Sequence, residues 1–235
     1  MTDITVNLRT VLDRIAAAAR ECGRDPSEVR LLGVSKGQPV SAIEQAVRAG
    51  LRHFGENYLQ DATAKIEALE SLPLTWHFIG HLQSNKTRPA ATAFDWVHTV
   101  DSVRVARRLG AQRPGRAPPI NVCLQVRIGD EDSKFGISPR DVQDLAEQVA
   151  PLAGLRLRGL MCIPPAATDP AIQRSHFREL REIFQGLCRS GFDLDTLSMG
   201  MSADLEAAIA EGATIVRVGT AIFGPRPATA AQVSG

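Results

Sequence analysis

The chain has 235 residues, 44% of them apolar, enough for one sizeable core, and 27 basic against 26 acidic side chains leave a formal charge of +1. That balance gives no broad attraction to nucleic acid or anionic lipid, and no apolar run reaches the length of a membrane span. The amino terminus, MTDITVNLRT, lacks a basic segment followed by an apolar stretch, so a cytoplasmic protein with neither nucleic-acid nor membrane partners is expected.

Ile4, Leu8, Val11, Leu12, Ile15 and Ala19 recur at spacings of three and four, and Cys22-Gly23 closes the pattern, which predicts an amphipathic leading helix over about 4–22. From Val29 onward short apolar runs alternate with helical segments. The predicted strands are 29–35, 51–55, 75–80, 95–100, 120–126, 155–162, 195–200 and 214–219, and the predicted helices 40–49, 58–70, 85–93, 102–109, 139–150, 169–189 and 203–211. Ser138-Pro139 reads as an N-cap followed by proline, and Gly50, Gly110 and Gly191 stand where helices should end. Phe177, Leu180, Phe184 and Leu187 mark one apolar face of the helix after the sixth strand. Arg-, Pro- and Gly-rich 110–119 reads as a solvated connector. Strands alternating with helices imply right-handed crossovers and a parallel sheet. Eight such units fit a single-domain (β/α)8 barrel over about 29–224 with a short carboxyl-terminal tail; an open doubly wound sheet is the alternative.

Chemistry in a barrel belongs at the carboxyl ends of the strands, where the βα loops form an open rim. Here the first strand runs into Lys36, the second into Gly55-Glu56-Asn57, the third into Gly80-His81, the seventh into Ser198-Met199-Gly200 and the eighth into Arg217-Val218-Gly219-Thr220. A partly desolvated lysine has its charged form disfavoured, which exposes an amine for Schiff-base formation with an aldehyde. Spacing alone favours instead a structural ion pair of Lys36 with Glu56.

SMGMSAD (198–204) and VRVGTAIFG (216–224) shift that balance, because Gly/Ser/Thr turns opening onto helix starts offer donors to an anion, and the loops after strands seven and eight are the common phosphate site of barrels. An aldehyde-binding lysine and a phosphate cradle together suggest pyridoxal 5'-phosphate (PLP), with Schiff-base aldolases of sugar phosphates as the rival. Strand alternation turns Arg217 away from Val216 and Val218. Facing inward, it can donate to a pyridine nitrogen and keep it unprotonated; facing outward, it would pair with an acidic residue on a helix. No group of Asp, Glu, His or Cys has metal-ligand spacing: the four cysteines, Cys22, Cys123, Cys162 and Cys188, form no CxxC pair and read as reduced, mostly buried thiols.

GVSK (33–36), FGENY (54–58), WHFIGHLQSNK (76–86), DSKFGI (132–137), LSMGMSAD (197–204) and VRVGTAIFG (216–224) together resemble the pyridoxal phosphate homeostasis protein family over about residues 5–225. The resemblance implies a stand-alone barrel of the alanine racemase amino-terminal-domain type. It further implies PLP on Lys36 as a Schiff base, Arg217 at the pyridine nitrogen, Ser202, Gly219 and Thr220 at the phosphate, and Asn57 beside the ring. After Lys86 the chain reads Thr-Arg-Pro-Ala where the family pattern has a bulky aliphatic residue. His77 reads as a hydrogen-bonded barrel residue, His81 as a loop residue able to approach the ring, Lys134 as a ring-hydroxyl neighbour or a solvated side chain, and Met161, Met199 and Met201 as packing residues.

The expected role is a monomeric PLP carrier that holds the cofactor and releases it to apo-enzymes, with little turnover. The alternative is a PLP-dependent amino-acid racemase, which needs acid–base groups on both faces of the substrate carbanion. In alanine racemase a tyrosine from a second domain serves one face. Here the strands extend to about residue 219, and the only tyrosine, Tyr58, reads as a packing residue at a helix start.

Overall fold

The computed structural model describes residues 3–129 and 135–225. After α1 (Ile4–Glu21) come β1 (Arg30–Val34), α2 (Val40–Arg48), β2 (His53–Glu56), α3 (Leu59–Ala68), β3 (Thr75–Phe78), α4 (Thr87–Ala93), β4 (Trp96–Val100) and α5 (Val103–Gln112). Then follow β5 (Ile120–Gln125), α6 (Val142–Val149), β6 (Leu155–Met161), α7 (Pro170–Arg189), β7 (Thr196–Ser198), α8 (Leu205–Ala210), β8 (Ile215–Val218) and α9 (Thr220–Phe223). Neighbouring strands run parallel, and β8 returns to β1 with Leu32 opposite Arg217 and Gly33 opposite Val218. That closure makes the fold the expected (β/α)8 barrel with an extra leading helix and rules out an open doubly wound sheet.

Alternation along the strands sorts the core into two shells. Leu32, Ile79, Trp96, Cys123, Met161 and Ile215 fill the barrel interior, whereas Phe54, Phe78, Val97, Val122, Leu160, Val216 and Val218 face the helices. The leading helix begins where Asp3 Oδ1 accepts the N–H groups of Thr5 and Val6, and it buries Ile4, Leu8, Val11 and Ile15. It is tied to the last helices by Asn7 Nδ2 donating to the Ile222 carbonyl (3.0 Å) and by an Arg14–Glu206 ion pair (2.8 Å). Phe177, Leu180, Phe184 and Leu187 of α7 pack on the core as their spacing predicts.

Several local expectations are corrected. Gly50 and Gly191 terminate helices with positive φ, but Gly110 lies inside α5. A Cβ there would stand 2.5 Å from the Ala153 carbonyl oxygen, so this glycine permits close helix packing instead of stopping the helix. Ser138 precedes a 3-10 turn, and its hydroxyl accepts from Arg140 Nε rather than capping the backbone. The 110–119 connector is partly helical, and Arg113 is a clamp within it, donating to the carbonyls of Ala91, Phe94 and Pro118. Thr87, in place of a bulky aliphatic residue, is fully buried and bonds Gln112 Oε1 (2.8 Å), so a polar pair replaces the apolar contact. Cys123 and Cys162 are buried, Cys188 half-buried and Cys22 exposed. Short α9 went unpredicted because four residues carry no readable period.

Candidate functional site

The site is built where β8, β1 and β2 leave the sheet. Along β1 the side chains of Leu32 and Val34 belong to the interior, and Lys36 continues that alternation two residues past the strand, half-buried in the turn. Ser35, pointing the other way, donates to Glu56 Oε1 (2.7 Å). Lys65 of α3 reaches the same oxygen (2.9 Å), the Ser35 carbonyl (2.9 Å) and Asp61 Oδ2 (2.7 Å), and Asp61 also receives the Gly37 N–H. The flanks of Lys36 are thus bonded to one cluster. Glu56 is engaged by Lys65 and Ser35, and burial raises its pKa despite those partners, which pull it down.

Arg217 shares the parity of Ile215 and turns inward. Its Nη1 donates to the Ser198 carbonyl (2.6 Å) and hydroxyl (2.9 Å), and its Nη2 to the Cys162 carbonyl (2.8 Å). The outward reading, an ion pair with a flanking helix, is therefore set aside. Burial pushes its pKa down, yet a guanidinium remains charged at any physiological pH. Among the described residues three of its five N–H groups are committed to these oxygens.

Gly219 and Thr220 form the turn from β8 into α9. A Cβ on Gly219 would lie 3.2 Å from the Val34 carbonyl oxygen, so a glycine lets this turn close on the exit of β1 that carries Lys36. Ser202 lies in the loop after β7, which is joined to β8 by the Arg217 N–H donating to the Gly200 carbonyl (3.0 Å) and to α1 by Arg14 Nη2 donating to the Ser202 carbonyl (3.0 Å). On the other side Asn57 follows β2, its Oδ1 buried without a hydrogen-bond partner among the described residues. Its backbone is held against Gly80, where a Cβ would stand only 2.1 Å from the Asn57 carbonyl oxygen. An orphaned buried amide oxygen fits a polar ligand, since such a group is costly to leave unpaired. A cavity of about 390 Å³ opens beside it, lined by Asn57, Tyr58, Thr63, His81, Gln83 and Lys86.

Arg217 on β8, Gly219 and Thr220 just beyond it and Lys36 just beyond β1 thus stand at the exits of two strands that pair directly, with Ser202 and Asn57 on the loops to either side. His81 stacks on Phe135 (centroids 3.8 Å apart) with Nδ1 4.0 Å from Asp101 Oδ2. Tyr58 is exposed at the start of α3 and Met201 is exposed on its loop, so neither packs as expected; Met161 and Met199 are buried. Lys134 lies outside the described residues. Sequence reasoning missed Lys65, whose spacing of three from Ala62 and four from Leu69 put it on the buried face of α3. It also missed that Ser198, though inside the quoted SMGMSAD segment, bonds Arg217, and it missed the Cys162 carbonyl, which no motif marks.

The profile of the alanine racemase N-terminal domain matches residues 6–227. The "Pyridoxal phosphate homeostasis protein" of Pseudomonas aeruginosa is 55% identical over 226 residues, covering 96% of this chain and 97% of that protein. The chain belongs to the pyridoxal phosphate homeostasis protein family. Among solved structures, PipY of Synechococcus elongatus with PLP bound superposes with a TM-score of 0.82 at 39% identity, covering 94% of this chain and all of PipY (100%). An alanine racemase of Clostridium difficile shares the fold alone, at 17% identity and a TM-score of 0.70, over 94% of this chain and 57% of its own.

Proposed function

We propose that this member of the pyridoxal phosphate homeostasis protein family binds PLP at the β8–β1 rim and serves as a carrier, one PLP-binding unit that works as a cytoplasmic monomer and passes the cofactor to apo-enzymes. When bound, PLP supplies an aldehyde that condenses reversibly with amines. Lys36 would offer the amine, which would hold the aldehyde as a Schiff base with loss of water and release it when another amine takes its place. The Lys65 cluster keeps the turn of Lys36 in position. Arg217 would donate to the pyridine nitrogen, and because a guanidinium is a donor only and cannot accept from a protonated ring nitrogen, it would favour the unprotonated ring, a weak electron sink. Ser202, Gly219 and Thr220 take the phosphate with hydroxyl and backbone donors, without a metal, and Asn57 turns its orphaned oxygen to the ring side. Two readings are carried by one observation, the inward Arg217 fixed by Ser198 and Cys162. It supplies the ring-nitrogen partner, and it argues against carbanion chemistry.

The racemase reading needs a second acid–base group, and the only tyrosine, Tyr58, is exposed at the start of α3. The two readings separate when the PLP-loaded protein is incubated with single amino acids in deuterated water. A carrier leaves the α-hydrogen and chirality unchanged while an added apo-enzyme gains activity; exchange at about one turnover per second or faster would make the protein an enzyme.

A further inference from the structure

Three imidazoles inside the barrel, two of them fully buried, have no role assigned above. His53 Nδ1 lies 3.1 Å from His77 Nε2, His77 Nδ1 lies 2.9 Å from His98 Nε2, and His98 Nδ1 lies 2.8 Å from the Ser198 hydroxyl, the group that also accepts from Arg217. His77 and His98 are fully buried, whereas His53 is half-buried at the amino-terminal start of β2. Trp96 stacks on His77, with centroids 5.3 Å apart and planes 15° apart, and both neighbouring imidazoles meet His77 edge-on.

Neutral imidazole has one donor and one acceptor nitrogen, so every link in such a row constrains the next. Two N–H groups or two lone pairs facing each other in a dry interior would forfeit a buried hydrogen bond, which leaves two concerted orderings. In one, all three rings carry the proton on Nε2 and Ser198 donates its hydroxyl proton to His98. In the other, all carry it on Nδ1, Ser198 accepts from both His98 and Arg217, and its own proton has no partner in the row. Arg217 donates to the Ser198 oxygen in either ordering; the first is favoured because it gives the buried Ser198 hydroxyl proton an acceptor, which the second leaves unpaired in the row.

We propose that His53, His77 and His98 form a one-way hydrogen-bonded chain that orients the Ser198 hydroxyl and thereby fixes Arg217, making His98 and His77 positioning residues for the ring-nitrogen end of the ligand site. The chain stays neutral. A proton on it would add a cation to a space faced by Arg30 of β1 and Arg217 of β8, with Arg158 of β6 neutralised by Asp195 and the Cys123 thiol of β5 pushed up to about 12. Burial accordingly holds His98 at about 3, His53 at about 4 and His77 well below the ordinary value.

The significance of Arg217 rests on the PLP reading, but the ordering of the chain does not. Histidine-selective nitrogen NMR of the cofactor-free protein should show three neutral Nε2–H tautomers from about pH 8 down to about pH 5.5. An Nδ1–H tautomer or an imidazolium at any of the three would overturn the chain. His98→Leu removes the acceptor for Ser198, and His98→Asn restores one. PLP affinity should fall about tenfold in the leucine variant, the loss of one buried hydrogen bond, with the nitrogen resonance of ring-labelled PLP moved, while the asparagine variant stays within about threefold of the parent. Equal behaviour of both variants, or an unmoved ring-nitrogen resonance in His98→Leu, would reduce the histidines to barrel filling while PLP binding stands. Parent protein that shows the tautomers but binds no PLP would overturn the functional reading instead.

Discussion

Two buried polar clusters support this rim, and they differ in charge. Outside the barrel, between the sheet and α3, the cluster of Ser35, Glu56, Lys65 and Asp61 contains full ions. Inside it, the row from His53 to Ser198 is built from neutral rings. The outer cluster ends on Asp61, whose side chain is 41% exposed, so water solvates one end of it. The inner row is partly exposed only at His53; His77 and His98 are fully buried beside Trp96 and lie near two arginines, where another charge would be neither hydrated nor paired. Buried hydrogen bonds can thus carry ions where a path to solvent exists, and otherwise are made of groups that titrate away from charge.

The largest expected effect tests the ionic side of that contrast. Lys65→Met removes the cation from Glu56, Asp61 and the Ser35 carbonyl and should destabilise the protein by about 3–5 kcal/mol in urea unfolding, as for other buried pairs that lose one partner. It should also weaken PLP binding, because the turn of Lys36 loses its brace. Loss of under about 1 kcal/mol would place Lys65 among ordinary surface ion pairs.

The neutral side is tested by pH. His77 and His98 have folded-state values below their unfolded ones, so the unfolded chain binds more protons as pH falls below about 6.5, and stability present above that point is lost. These two residues should contribute up to about 2.7 kcal/mol per pH unit between about pH 6 and pH 5. Glu56 works in the opposite direction: its raised value gives a contribution present at low pH and lost as pH rises through that value. Unfolding at a series of pH values should therefore show a steep acid limb that flattens in His77→Phe; an unchanged limb would place the acid sensitivity elsewhere.

A smaller effect concerns thiols. With Cys123 and Cys162 pushed up to about 12 by burial, alkylation of the native protein at neutral pH should mark exposed Cys22 first and spare both until unfolding. Early labelling of Cys123, counted by mass, would mean that water reaches the barrel interior.

The alternation of strands and helices was legible because each apolar run and its period are local features, and the barrel followed from their number. Lys36, Asn57, Arg217, Gly219 and Thr220 were legible as strand-end residues, whereas Ser202 and the pocket role of Asn57 came from the family resemblance, and the inward turn of Arg217 was settled only by closure of β8 on β1. The supports were legible only in part: His77 read as a hydrogen-bonded barrel residue, as it is, but its partners could not be named. His53, His77, His98 and Ser198 come from four strands and meet only when the barrel closes, with Ser198 100 residues from His98 in the chain. Gly110 misled because a glycine near a helix end signals a stop, whereas here it admits the Ala153 carbonyl.

The central claim is that Lys36 holds the PLP aldehyde at the β8–β1 rim. Borohydride reduction of the PLP-loaded protein, followed by peptide mass mapping, tests it most directly. One adduct is expected, on Lys36 and absent from Lys36→Ala, with Ser202→Ala and Thr220→Val weakening binding of PLP far more than of pyridoxal. An unmodified Lys36 beside a labelled Lys134 or Lys86 would contradict it.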